Sequence, residues 1–229
     1  MYLYFLSKKM QGIDALWNNT KSKYKEKMAE LISSLEDYIS TSGKANRDER
    51  KLIAILILES LSNLPFFTSE SAPRSLKKDP RGKPCFDDKN IKMNIAHNED
   101  FVLVAYDETA EIGVDIENEI PPEKAEKLAK RFEGISSLKT EKNEKKITAF
   151  EMIENGNFTP IRLSAADESF TAKWTAAEAI MKCDGGGFST LPGLENLTES
   201  IKVCTYVFKP DEKKVYVSLA KKRLRKYKK

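Results

Sequence analysis

Five residues, Gly113-Val-Asp-Ile-Glu117, constrain this chain more than any other stretch. Apolar and acidic side chains alternate with the period of a strand. Val114 and Ile116 therefore point into a core, while Asp115 and Glu117 share the opposite face, about 6–7 Å apart. Two neighbouring carboxylates on a strand with apolar flanks are costly to ionise unless a positive charge stands between them. A hard divalent cation bound through oxygen meets that need, and Mg²⁺ commonly takes one or two carboxylates together with substrate phosphates. On these five residues alone, an edge strand with its acidic pair facing water fits as well.

The flanking segments narrow the choice. Tyr2–Leu6 reads as a first strand. A helical pattern runs from Asn18 to Ile39, with Lys21, Lys23, Lys25 and Lys27 on a solvated face, and Ser40-Thr-Ser-Gly43 breaks it. A second helix is predicted from Asn46 to Ser62, its core face made by Leu52, Ile53, Leu56, Ile57 and Leu61. Arg47 and Arg50 sit at the end that suits acidic residues, so they want an acidic or phosphate partner. Arg81-Gly-Lys-Pro84 is a positively charged turn leading to a strand, Ile91–Ile95, and then to His97, the single histidine. Phe101–Tyr106 and Ile112–Glu117 are predicted to form a hairpin around Asp107–Ala110.

Further on, Glu123–Phe132 is a charged helix, and residues 134–163 give no clear pattern. A helix is expected from an N-cap at Ser164 to Cys183, with Phe170, Trp174, Ala177 and Met181 as its apolar stripe. Trp174, Glu178 and Lys182 follow at four-residue intervals and share a face, where Glu178 and Lys182 form either an intrahelical ion pair or part of a site. Gly185-Gly-Gly187 ends the helix. Ile201–Phe208 and Lys214–Leu219 make a last hairpin. The layout is α+β, sandwich-like, with two similar halves at 1–118 and 119–220 and a basic tail at 221–229.

Charge argues against a nucleic-acid-binding face. The tail holds seven positive charges, so the +4 of the whole chain becomes −3 for the body. Cys85, Cys183 and Cys204 have neither zinc-site nor disulfide spacing. With no signal-like start and no long apolar run, a soluble cytoplasmic protein that binds neither nucleic acid nor membrane is expected.

Taken in order, Gly82-Lys-Pro84, Met93-Asn-Ile-Ala-His97, Gly113–Glu117 and Trp174-Thr-Ala-Ala-Glu-Ala-Ile-Met-Lys182 resemble the 4′-phosphopantetheinyl transferases, specifically the monomeric Sfp-like group. The resemblance covers roughly residues 45–190. It implies two α/β halves in pseudo-two-fold arrangement, with coenzyme A between them. It also implies transfer of the phosphopantetheine arm to a serine of an apo acyl or peptidyl carrier protein, the holo-acyl-carrier-protein synthase reaction, with release of adenosine 3′,5′-bisphosphate. Asp115, Glu117 and Glu178 match the Mg²⁺ ligands, and Glu178 the base. Lys182 matches a pyrophosphate contact, Lys83 and His97 match coenzyme A phosphate contacts, and Arg50 matches the 3′-phosphate arginine.

Two positions depart from the family pattern. Ala96 stands where serine is usual, and Ala177 where lysine is usual; Lys173, on the same helical face as Ala177, is a candidate substitute cation. These departures keep a second reading open, a catalytically weakened relative that still binds coenzyme A or a carrier protein. A nucleic-acid binder driven by the tail is the third, and it leaves Asp115, Glu117 and Glu178 unexplained.

Overall fold

The computed structural model describes residues 1–41, 47–68, 73–87, 90–141, 147–153 and 156–222. Strand β1 (Tyr2–Ser7) is buried on both faces, and its parity sets the layers. Tyr4 and Leu6 point to one apolar cluster, Leu3 and Phe5 to another. Three helices, α1 (Ile13–Tyr24), α2 (Ala29–Ser40) and α3 (Arg47–Leu61), fill the first cluster. Beneath them lies a five-stranded sheet that joins β1 with β4 (Lys92–His97), β5 (Phe101–Asp107), β7 (Thr148–Met152) and β8 (Phe158–Pro160), in the order β4-β5-β1-β7-β8. The second cluster separates it from a four-stranded sheet, β6 (Ile112–Asn118), β11 (Val215–Lys222), β10 (Ile201–Phe208) and β9 (Ser164–Ala165), also in that order. A third cluster lies outside this sheet, with α4 (Pro122–Arg131), α5 (Phe170–Asp184) and α6 (Leu194–Ser200). Strands β2 (Leu76–Lys78) and β3 (Pro84–Phe86) pair separately. The result is helices, sheet, sheet, helices, a mixed α+β architecture. Among the described residues no helix is long and apolar enough to cross a membrane.

Several local expectations are corrected. The expected helix from Asn18 to Ile39 is two helices. The chain turns after Tyr24 so that Tyr24 and Met28 bury, and both Trp17 and the Leu31–Leu35–Ile39 stripe reach the core. Strands β5 and β6 do not form a hairpin. Asp107 accepts from the Thr109 and Ala110 amides and turns the chain away, and β6 pairs with β11 in the other sheet. The reason is burial. Val114 and Ile116 face the layer between the sheets while Gly113 faces α5, so β6 must lie between the first sheet and that helix. Asn94, buried in β4, accepts from the Val114 amide at 2.8 Å and so joins the two sheets.

Ser164 belongs to β9, and Ser169 is the N-cap of α5. The stretch 134–163 includes β7 and β8, which extend the first sheet, β7 running parallel to β1. Lys221 and Lys222, assigned to the tail from sequence, end β11, and 223–229 lie outside the described residues.

Asp107 is the polar anchor of this crossing. It is 3% exposed and bonded to Lys221 Nζ at 2.7 Å. Burial alone would raise its pKa, but Lys221 and the two amides outweigh burial and hold it below the usual carboxylate value. A depressed folded pKa gives stability that is complete above the unfolded value, about 3.9, and is lost as pH falls through the folded value. Asp107→Asn is therefore expected to cost about 2 kcal/mol at pH 7. The cost should shrink below about pH 4, as read from urea unfolding at the two pH values.

Candidate metal centre

On β6, Gly113, Asp115 and Glu117 all face α5. Gly113 is what lets the helix approach. A Cβ there would collide with the Ala179 carbonyl and the Cys183 amide, and would lie 2.9 Å from the Cys183 Cα. Helix and strand thus meet backbone to backbone. The helix is fixed at both ends, by the Ser169 hydroxyl accepting from the Ala172 amide and by Gly185 at φ 84°, whose amide donates to the Met181 carbonyl at 2.8 Å. Most of α5 is buried, and Glu178 and Lys182 are the charged side chains it turns toward the acidic face of β6.

There, carboxylate oxygens of Asp115, Glu117 and Glu178 lie within 4.8 Å of one another. Among the described residues they are the one group of acid, histidine or cysteine side chains placed to hold an ion. Lys182 Nζ reaches Asp115 Oδ1 at 2.6 Å, so of the two sequence readings, an intrahelical pair with Glu178 or a part in the site, the structure shows a cross-element pair within the acidic group. The other oxygen, Asp115 Oδ2, is buried with no hydrogen-bond partner. Burial first, then Asp115, pushes Glu178 up to about 8; burial and then Asp115 push Glu117 to about 7. Burial would lower Lys182, but Asp115 and the two glutamates outweigh it and raise its pKa. Three crowded acids with one directly paired lysine, Lys124 acting on Glu117 through its charge alone, and a buried carboxylate oxygen unpaired make a donor set that fits a hard divalent cation. The residues therefore fit Mg²⁺.

The remaining sequence candidates lie at varied places. His97, at the end of β4, is half-exposed and feels the charges of Lys182 and Asp115. Its Nδ1 faces Glu49 Oε2 at 3.4 Å, and burial lowers its pKa. Lys83 Nζ donates to the Ile112 carbonyl at 2.7 Å, at the start of β6, and burial lowers its pKa. Its loop is tied to α5 by Arg81, which donates to the Asp184 carbonyl. Arg50 is not drawn into this group. Its guanidinium is buried over the Tyr38 ring and donates to the Tyr38 and Thr41 carbonyls at the end of α2.

Trp174 is core support, packed against Phe132 and Phe170. Ala177 is fully buried in the apolar cluster of α5, and Ala96 in the layer between the sheets. Lys173, the candidate substitute cation, donates to the Ser136 carbonyl at 2.6 Å. Sequence reasoning missed Lys8 and Glu49, which no short motif marks, and gave no role to Asn94 although it lies within the Met93–His97 motif; the partners of all three are 20 or more residues away in the chain.

No family model matches the chain. Two curated proteins do. One, from Synechocystis sp., is named "putative 4′-phosphopantetheinyl transferase" and is 28% identical over 138 residues, 58% of this chain and 47% of its own length. The other, the 4′-phosphopantetheinyl transferase HetI of Nostoc sp., is 29% identical over 125 residues, 50% of this chain and 43% of its own. The chain thus spans about half the length of the curated relatives it matches.

Proposed function

We propose that this chain, a relative of the 4′-phosphopantetheinyl transferases, moves the phosphopantetheine arm of coenzyme A onto a serine of an apo acyl or peptidyl carrier protein. The observation that carries this reading is the convergence of Asp115 and Glu117 on β6 with Glu178 and Lys182 on α5. Mg²⁺ held by the three acids would neutralise charge on the pyrophosphate oxygens. The serine oxygen attacks the β-phosphorus, the bond from that phosphorus to the bridging oxygen breaks, and adenosine 3′,5′-bisphosphate leaves with the electron pair. Glu178 takes the serine proton, directly or through water. The pKa of about 8 belongs to the metal-free site; a cation held by the three acids would lower it and keep Glu178 ionised, the form that accepts a proton. Lys182 balances charge that builds on the phosphoryl group. His97 and Lys83 contact the coenzyme A phosphates. Arg50, on the 3′-phosphate, is the most distant assignment, since its present partners are carbonyls of α2.

Two helix-backed sheets in one chain support an Sfp-like monomer with pseudo-two-fold halves at 1–118 and 119–220. Strand β6 and the β7–β8 pair are exchanged between the sheets. The apolar surroundings of Ala96 and Ala177 favour an active enzyme over a weakened relative, because neither alanine leaves a hole in a polar site. The compartment proposed is the cytoplasm. With coenzyme A, Mg²⁺ and a panel of apo carrier proteins, one carrier should gain the mass of phosphopantetheine, and EDTA should abolish the gain. Coenzyme A binding without any mass gain would replace this reading with the non-catalytic one, and absence of both would overturn it.

A further inference from the structure

Beside the acidic cluster lies a second group of charges that no motif announces. Lys8 follows β1, and its amide donates to the Asp100 carbonyl at 2.7 Å in the turn between β4 and β5, three residues past His97. Its Nζ pairs with Glu49 Oε2, in the first turn of α3. That same oxygen faces His97 Nδ1 at 3.4 Å. Glu49 is 11% exposed and Lys8 19%, whereas His97 is 50% exposed, so a half-open imidazole stands with its Nδ1 against a covered ion pair.

We propose that Glu49 is a positioning residue for His97, with Lys8 neutralising it, so that Nε2 of the half-open imidazole is presented to a phosphate of coenzyme A. This rests on the transferase reading for the identity of the ligand. At 3.4 Å the two atoms make a charge contact and not a formed hydrogen bond; because a carboxylate can only accept, its place beside Nδ1 favours the form of the ring with the proton on Nδ1. Nε2 is then the atom left for the ligand. With a phosphate on one side and Glu49 on the other, both neighbours are acceptors, and the imidazolium with two N–H donors is the form that satisfies both. Lys8 has a separate task. A bare carboxylate this close would repel the phosphate, and the Lys8–Glu49 pair removes that charge. Lys182 and Asp115 are the other charges that His97 feels, and they lie toward the acidic cluster.

The test uses the fact that His97 is the only histidine, so an imidazole ¹H–¹⁵N spectrum of the full chain has one assignment. In the wild type the proton should sit on Nδ1, and in Glu49→Ala it should move to Nε2. Coenzyme A binding by calorimetry should weaken about tenfold in Glu49→Ala, the loss of one oriented hydrogen bond. It should not weaken further when Glu49→Ala is added to His97→Ala. Glu49→Gln, whose carbonyl still accepts from Nδ1, should recover most of the affinity and serves if the alanine variant fails to fold. An unchanged tautomer, or effects that simply add in the double variant, would overturn the proposal. If the imidazole responds to Glu49→Ala but the wild type binds no coenzyme A, the transferase reading falls and the positioning contact stands.

Discussion

Gly113→Ala should be among the most damaging single substitutions in this protein, costing about 3 kcal/mol or more in urea unfolding, or preventing soluble expression. Overpacking a core normally costs about 1–3 kcal/mol because side chains shift to make room. At Gly113 no side chain is available to shift. The added carbon meets the Ala179 carbonyl, the Cys183 amide and the Cys183 Cα, all backbone of α5. Relief requires the helix and strand to part, which breaks the packing between them and withdraws Lys182 from Asp115. Against a total stability of about 5–15 kcal/mol, that loss is large. Gly134→Ala is the control. Nothing lies within 4 Å of a Cβ built there, and its stability should stay within about 0.5 kcal/mol of wild type. Equal behaviour of the two variants would mean that β6 and α5 are not in backbone contact.

The second large effect is on activity, and it runs opposite to stability. Asp115→Asn and Glu178→Gln should each lower phosphopantetheinyl transfer by at least about 100-fold, since losing a charged ligand is worth roughly 3 kcal/mol. Yet Glu178→Gln should make the metal-free protein more stable. A carboxyl whose folded pKa is raised, here to about 8, keeps a proton that the unfolded chain releases. Without a cation, stability therefore declines as pH rises from about 4.3 toward 8. Glutamine removes the share of that decline due to Glu178, leaving the share due to Glu117, so its advantage should be greater at pH 8.5 than at pH 5 in EDTA. Mg²⁺ should reverse the ranking by stabilising only the wild type. A fall in both stability and activity would mark Glu178 as a packing residue instead.

Much of this was legible where pattern and contact are both local. The alternation in Gly113–Glu117 assigned Val114 and Ile116 to the core and the acids to the other face, and the structure keeps that division. The α3 core face and the last hairpin also follow from periodicity. What failed was pairing between distant segments. A short turn after β5 looks like a hairpin, but the choice of β11 as the partner of β6 depends on residues a hundred positions away. Strand β7 was unreadable because its role, parallel to β1, is set by a neighbour and by no turn of its own. Asp115 and Glu117 share one motif and the family resemblance joins Glu178 to them, whereas Glu49 and Lys8 carry ordinary helix-start and strand-end identities. Ala177 carries two readings, the apolar stripe from periodicity and a phosphate site from the family resemblance, and the structure buries it with the stripe.

The most direct measurement is a Mn²⁺ titration followed by electron paramagnetic resonance, with Mn²⁺ standing in for Mg²⁺ and the Asp115→Asn variant run in parallel. The wild type should remove one equivalent of free Mn²⁺ signal per chain, and Asp115→Asn should remove almost none. No loss of signal in the wild type, or equal loss in both, would contradict a cation site built from Asp115, Glu117 and Glu178.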